Sequence, residues 1–143
     1  MPLFLRLYPK KREVWDAEAI FLALDVCDDA RLKLAINLSF ACSMRIGEIL
    51  GLTWDCVDFS QKSIADGTAS IMIEKELQRV DKTAMKSLEQ KDVLFIFPQS
   101  SKRNTSMLVL KKPKTESSVR KVFIPATVAH QLESWKREQE RTK

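Results

Sequence analysis

Apolar residues in the first third of the chain recur at helical spacing. Ile20, Leu24 and Cys27 share one face of a segment that Asp16 can cap. Asp28 or Asp29 caps a second helix, "ARLKLAINLSFACS" (residues 30–43), where Leu32, Leu34, Ile36, Leu38 and Phe40 leave only a narrow polar strip. A helix apolar around so much of its circumference is expected at the centre of a core. "RIGEIL" (45–50) reads as a short helix stopped by Gly51. After Trp54 the period changes. "KSIADGTASIMIEKEL" (62–77) alternates around an Asp66-Gly67 turn and predicts a strand or a hairpin. Residues 82–91 predict a short surface helix, followed by a strand-like "VLFIF" closed by Pro98 and a polar loop, "QSSKRNTS". "MLVLKK" and "VRKVFIP" predict two strands joined by "PKTESS", and "TVAHQLESWKREQERTK" predicts a closing helix that frays into its charged end. Helices around a small antiparallel sheet make an α+β domain. No repeat or linker divides the chain, so residues 1–143 are expected to form one domain.

Composition narrows the class. A hydrophobic fraction of 45% with 30% charged residues is that of a folded globular chain, not a disordered one. No apolar run approaches the roughly 20 residues of a spanning helix. "MPLFLRLYPKKR" has too short an apolar stretch for a secretory signal, which makes a cytoplasmic address the default. Cys27, Cys42 and Cys56 form no CxxC pair and sit among apolar neighbours, so they are expected as reduced, buried thiols. The only histidine, His130, is far from all three, and no metal site is expected. The net charge of +5 is concentrated: seven bases and one acid, Glu116, between Lys102 and Lys121 carry +6, leaving the rest at −1. That is the footprint of a polyanion partner or of a solvated charged loop, and charge alone does not choose.

Two charged residues stand out in "CSMRIGEILGLTW" (42–54). Arg45 and Glu48 are neighbours on one helical face, set among Met44, Ile46, Ile49 and Leu50. One reading is a local ion pair worth a few tenths of a kcal/mol if exposed. The other is an arginine held by a glutamate with its fork aimed at a cleft, suited to bidentate phosphate recognition. The apolar neighbours argue against full exposure.

The longer stretch "SMRIGEILGLTWDCVDF" (43–59) resembles the first arginine motif of the tyrosine recombinases, the phage and transposon integrase family. Arg45, Gly47, Glu48, Leu52, Trp54 and Asp58 match its pattern and Val57 nearly does. "PKTESSVRKVFIP" (113–125) is similar to the family's lysine hairpin, and Lys114 follows Arg45 in the family's order. Cys42-Ser43 replaces the family's Thr-Gly, and Cys56 replaces the first aspartate of Asp-Ile-Asp. The later His-x-x-Arg motif and the nucleophilic tyrosine are not found. Tyr8 is the only tyrosine and precedes Arg45, while His130 is followed three residues on by Glu133 and reads as a surface residue. The resemblance therefore implies the first half of an integrase catalytic domain, without core-binding or arm-binding domains.

The resemblance also implies a chemistry. A tyrosine hydroxyl attacks a DNA phosphodiester, leaving a 3′-phosphotyrosine and a free 5′-hydroxyl, with no cofactor and no required metal. Arg45 is then expected to stabilise charge on the non-bridging oxygens, with Glu48 in support, and Lys114 to protonate the departing 5′-oxygen. Without the motif, Lys114 would read as one more phosphate-contacting base. Lys112, Thr115, Ser117, Ser118 and Arg120 are expected to contact the DNA backbone. The implied partners are duplex DNA and other protomers of a tetramer, in a bacterial cell carrying a mobile element. The alternatives are a truncated, non-catalytic DNA-binding or recombinase-interacting module, and a nucleic-acid protein of other ancestry.

Overall fold

Two aspartates open the first two helices as side-chain caps. Asp16 accepts from Ala19 N at 2.9 Å ahead of α1 (Ala17–Val26), and Asp29 accepts from Arg31 N and Leu32 N ahead of α2 (Ala30–Cys42). The remaining elements are α3 (Ile46–Leu50), a 3₁₀ turn at Trp54–Cys56, β1 (Val57–Asp58), α4 (Gln61–Ala65), β2 (Ser70–Ile73), β3 (Glu76–Asp81), α5 (Lys82–Ser87), β4 (Val93–Ile96), β5 (Ser106–Lys111), a second 3₁₀ turn at Glu116–Ser118, β6 (Arg120–Phe123) and α6 (Ala126–Arg141). This computed structural model describes residues 13–87, 91–99, 101 and 103–142. Tyr8, Lys102 and residues 88–90 of the helix expected over 82–91 fall outside those residues.

The α+β class stands, but the strands divide between two antiparallel sheets where one was expected. One sheet has the order β1-β2-β6 and the other β3-β5-β4. The core lies between the first sheet and α2 and α6. Leu34, Leu38 and Cys42 of α2 meet Ile71 and Ile73 of β2, and Val128, Ala129 and Leu132 of α6 close the layer. Asn37 also donates to Gln131 Oε1 at 3.0 Å, tying α2 to α6.

Four expectations change. First, α2 is buried along a single stripe: Leu34, Leu38 and Cys42 follow at i, i+4 and i+8, while Leu32 and Phe40 are 54% and 49% exposed. Its apolar circumference exceeds what the first sheet and α6 can cover. Second, residues 61–65 are helix, not strand. Ser60 accepts from Ser63 N at 3.1 Å, and Asp58 accepts from Ser63 Oγ at 3.0 Å and Ser60 N at 3.2 Å, so capping chemistry overrides the alternation. Third, "MLVLKK" and "VRKVFIP" do not pair as a hairpin. Both edges of β5 are taken, by β3 and β4, so β6 pairs with β2 instead, Ile73 opposite Arg120. Fourth, Gly51 does stop α3, but at φ −91°, not in the left-handed region. A Cβ there would lie 2.6 Å from Leu77 N, and one at Gly47 would lie 3.0 Å from Leu77 O. The two glycines are there so that α3 can rest on the backbone of β3.

Candidate functional site

The site begins where α2 gives way to α3. Ser43 ends α2 at φ 51°, returning its N–H to Leu38 O. The chain then extends through Arg45, whose backbone N–H donates to Glu48 Oε2 at 2.8 Å across the first turn of α3. A carboxylate three residues into a helix that reaches back to its cap satisfies a donor the helix itself cannot.

Glu48 is only 3% exposed, and its main partner comes from β6. Arg120 Nη1 and Nη2 donate to Oε1 and Oε2 at 2.9 Å each, a bidentate fork. Arg120 Nη1 also donates to Ser118 O at 3.2 Å and Nη2 to Ser43 O at 3.4 Å. The Arg120 hydrogen bonds, helped by the Arg45 N–H, hold the Glu48 carboxyl below its ordinary range in spite of burial. Glu48 in turn raises Arg120 above its own. Arg45 Nη1 approaches Oε1 at a looser 3.4 Å, with its side chain 73% exposed. The expected enclosure is thus inverted: the glutamate is buried and Arg45 faces outward. One carboxylate serves two guanidiniums, so the cluster carries a net +1, and Arg45 is its solvent-facing end.

Lys114 lies elsewhere on the crossover from β5 to β6. With Lys112 and Thr115 it lines a groove of about 700 Å³ that also takes in Glu74, Lys75 and Asp92. Thr115 Oγ1 is 3.1 Å from Ser117 Oγ and 2.9 Å from Ser118 Oγ, which clusters three hydroxyls on one turn. Arg45 does not line this groove. The link between the two is Arg120, which touches Glu48 on one side and Ser118 on the other. Arg120, expected among the DNA contacts, therefore spends its guanidinium on protein acceptors. The basic stretch is also less uniform than its sequence. Lys111 pairs with Glu76 at 3.5 Å, and Lys121 sits 5.4 Å from the centre of the Phe123 ring.

Other motif residues are structural. Trp54 donates Nε1–H to Gln139 Oε1 at 2.9 Å and meets Phe59 edge-on, and Asp58 shapes the turn into α4. His130 is on the surface of α6, 3.7 Å from Glu133. Cys42 and Cys56 are buried free thiols and Cys27 is partly exposed; burial pushes the Cys42 thiol up. Asp55, Cys56 and Glu74 bring three donor atoms within 4.8 Å of one another. The Lys75 ammonium already supplies the positive charge there, 2.5 Å from Asp55 and 3.9 Å from Glu74, and its hydrogen bond holds the Asp55 carboxyl down to about 2. No motif marks Glu74, Lys75 or Asp92 in the sequence; they reach the groove from the link between β2 and β3 and from the residue ahead of β4.

Among the described residues, no helix is long and apolar enough to cross a membrane. Residues 13–142 match the family model of the phage integrase family. No curated protein and no solved structure matches the chain.

Proposed function

The chain belongs to the phage integrase family of site-specific recombinases, and from that premise we propose that it binds duplex DNA with Arg45 on a backbone phosphate and Lys114 reaching that phosphate from the separate groove it lines. Arg45 stabilises the charge that gathers on the non-bridging oxygens during strand cleavage and rejoining, a contribution of roughly 3–4 kcal/mol for one such donor. Lys114 gives its proton to the departing 5′-oxygen. Lys112, Thr115, Ser117 and Ser118 hold the DNA backbone. Other protomers on the same DNA complete the assembly. The attacking group is a tyrosine hydroxyl of the complete recombinase, which bonds to phosphorus as the 5′-oxygen departs. Because the phosphotyrosine link conserves the energy of the broken ester, the reaction needs no cofactor.

The observation that carries this reading is the sharing of Glu48. A buried carboxylate already saturated by Arg120 leaves Arg45 fixed at its backbone, largely exposed and not fully neutralised. That is the state of a cation waiting for an anion.

Binding of a fluorescent duplex, followed across a salt series, tests it. Affinity should fall by about 0.9 log units per phosphate contact for each tenfold rise in salt, and Arg45→Ala should weaken binding about tenfold. A salt-independent affinity, or one indifferent to Arg45→Ala, refutes the reading. The gene beyond Lys143 tests the catalytic roles. An open frame encoding His-x-x-Arg and a late tyrosine supports them, and a stop codon favours a non-catalytic DNA-binding module.

A further inference from the structure

We infer that Arg120 is a positioning residue and not a phosphate ligand: through Glu48 and two backbone carbonyls it fixes both the cap that carries Arg45 and the turn that follows Lys114. The inference rests on the reading of Arg45 and Lys114 given above and adds the part that couples them.

The geometry is specific to a guanidinium. Two nitrogens of Arg120 reach both oxygens of Glu48 at 2.9 Å, and the same two nitrogens reach Ser118 O at 3.2 Å and Ser43 O at 3.4 Å. Four acceptors from three separate segments converge on one planar fork of five N–H donors. Ser43 precedes Arg45 by two residues, and Ser118 closes the turn that begins at Thr115, next to Lys114. To take a phosphate on its Nη fork, Arg120 would have to leave a carboxylate that is 3% exposed, with only the 3.4 Å contact to Arg45 to replace it. Uncovering a buried charge in this way is strongly disfavoured. The sequence places Arg120 in a basic stretch, which suggests a DNA contact; the fold turns the same residue inward.

Arg120→Lys separates the possibilities, because lysine keeps the charge and loses the fork. Duplex affinity of the 143-residue chain is measured well below its unfolding temperature for the wild type, Arg45→Ala, Arg120→Lys and the double variant. A positioning role predicts that Arg120→Lys weakens binding about as much as Arg45→Ala, about tenfold, and that the double variant loses little more. A phosphate ligand predicts either an Arg120→Lys affinity within about twofold of wild type or a loss that adds in full to that of Arg45→Ala in the double variant, and either result overturns the inference. A merely structural brace lowers the unfolding temperature and leaves affinity unmoved, which also overturns it. Side-chain NMR of the unaltered protein serves where a variant does not fold. The Arg120 guanidinium resonances should stay in place on adding duplex while those of Arg45 shift, and a DNA-induced shift confined to Arg120 refutes the assignment. If Arg45→Ala leaves wild-type affinity intact, the functional reading falls and takes the inference with it. If Arg45→Ala weakens binding and Arg120→Lys does not, the inference alone falls.

Discussion

Ser43 has the only positive φ at a non-glycine position among the described residues, 51°, at the place where the resembling motif carries glycine. A side chain in the left-handed region costs about 1 kcal/mol. Ser43→Gly should therefore raise the denaturation midpoint by an equivalent amount, and it keeps the carbonyl that Arg120 uses. Glu48 makes stability depend on pH in a defined direction. Its folded-state pKa lies below the ordinary 4.5, so its contribution is complete above that value and is lost as pH falls through the folded one. Urea titrations between pH 3 and pH 7 should show the wild type losing this increment on acidification. Glu48→Gln, which strands Arg120, should be destabilised by about 3 kcal/mol at pH 7, with a gap that closes toward pH 3. Arg45→Ala should shift stability by less than about 0.5 kcal/mol, since its side chain is 73% exposed. Loss of DNA affinity without loss of folding is the signature expected of that change.

At the level of elements, α3 matters because it sits flush on β3. Gly51→Ala would drive a Cβ to 2.6 Å from Leu77 N, and backbone cannot yield as a side-chain tip can. A destabilisation of about 2–3 kcal/mol is expected in chemical denaturation, together with weaker DNA binding, because α3 carries Arg45 at its cap. What the sequence revealed and what it hid divide along the same line. The Asp16 cap, a second cap at Asp28 or Asp29 and the stop at Gly51 were legible because caps act over a few residues. Helix α4 was not, because Ser60 and Asp58 compete with the alternation locally and the pattern does not show which wins. The separation of β5 from β6 was hidden because strand partners are chosen across the whole fold. Motif order singles out Arg45, Glu48 and Lys114 as candidates. The partner of Glu48 was not, because Arg120 lies 72 residues away and looks like one more base in a basic run.

For the whole molecule, the excess charge is gathered between Lys102 and Lys121, but the fold spreads the described bases over the β4–β5 loop, the two sheets and the crossover between them. Lys111 is paired with Glu76, which leaves Lys112 and Lys114 on the groove as the stronger candidates for phosphate contacts. Removing either should reduce the slope of log affinity against log salt by about 0.9, whereas Lys111→Ala should leave it nearly unchanged. The chain leaves the first sheet after Ile73 and rejoins it at Arg120, the cross-strand neighbour of Ile73. Residues 74–119 are thus a closed excursion with adjoining ends, and lengthening such a loop costs little entropy. Relatives can therefore be expected to differ widely in the size of that excursion while its narrow neck, where one acid joins two arginines, keeps its shape.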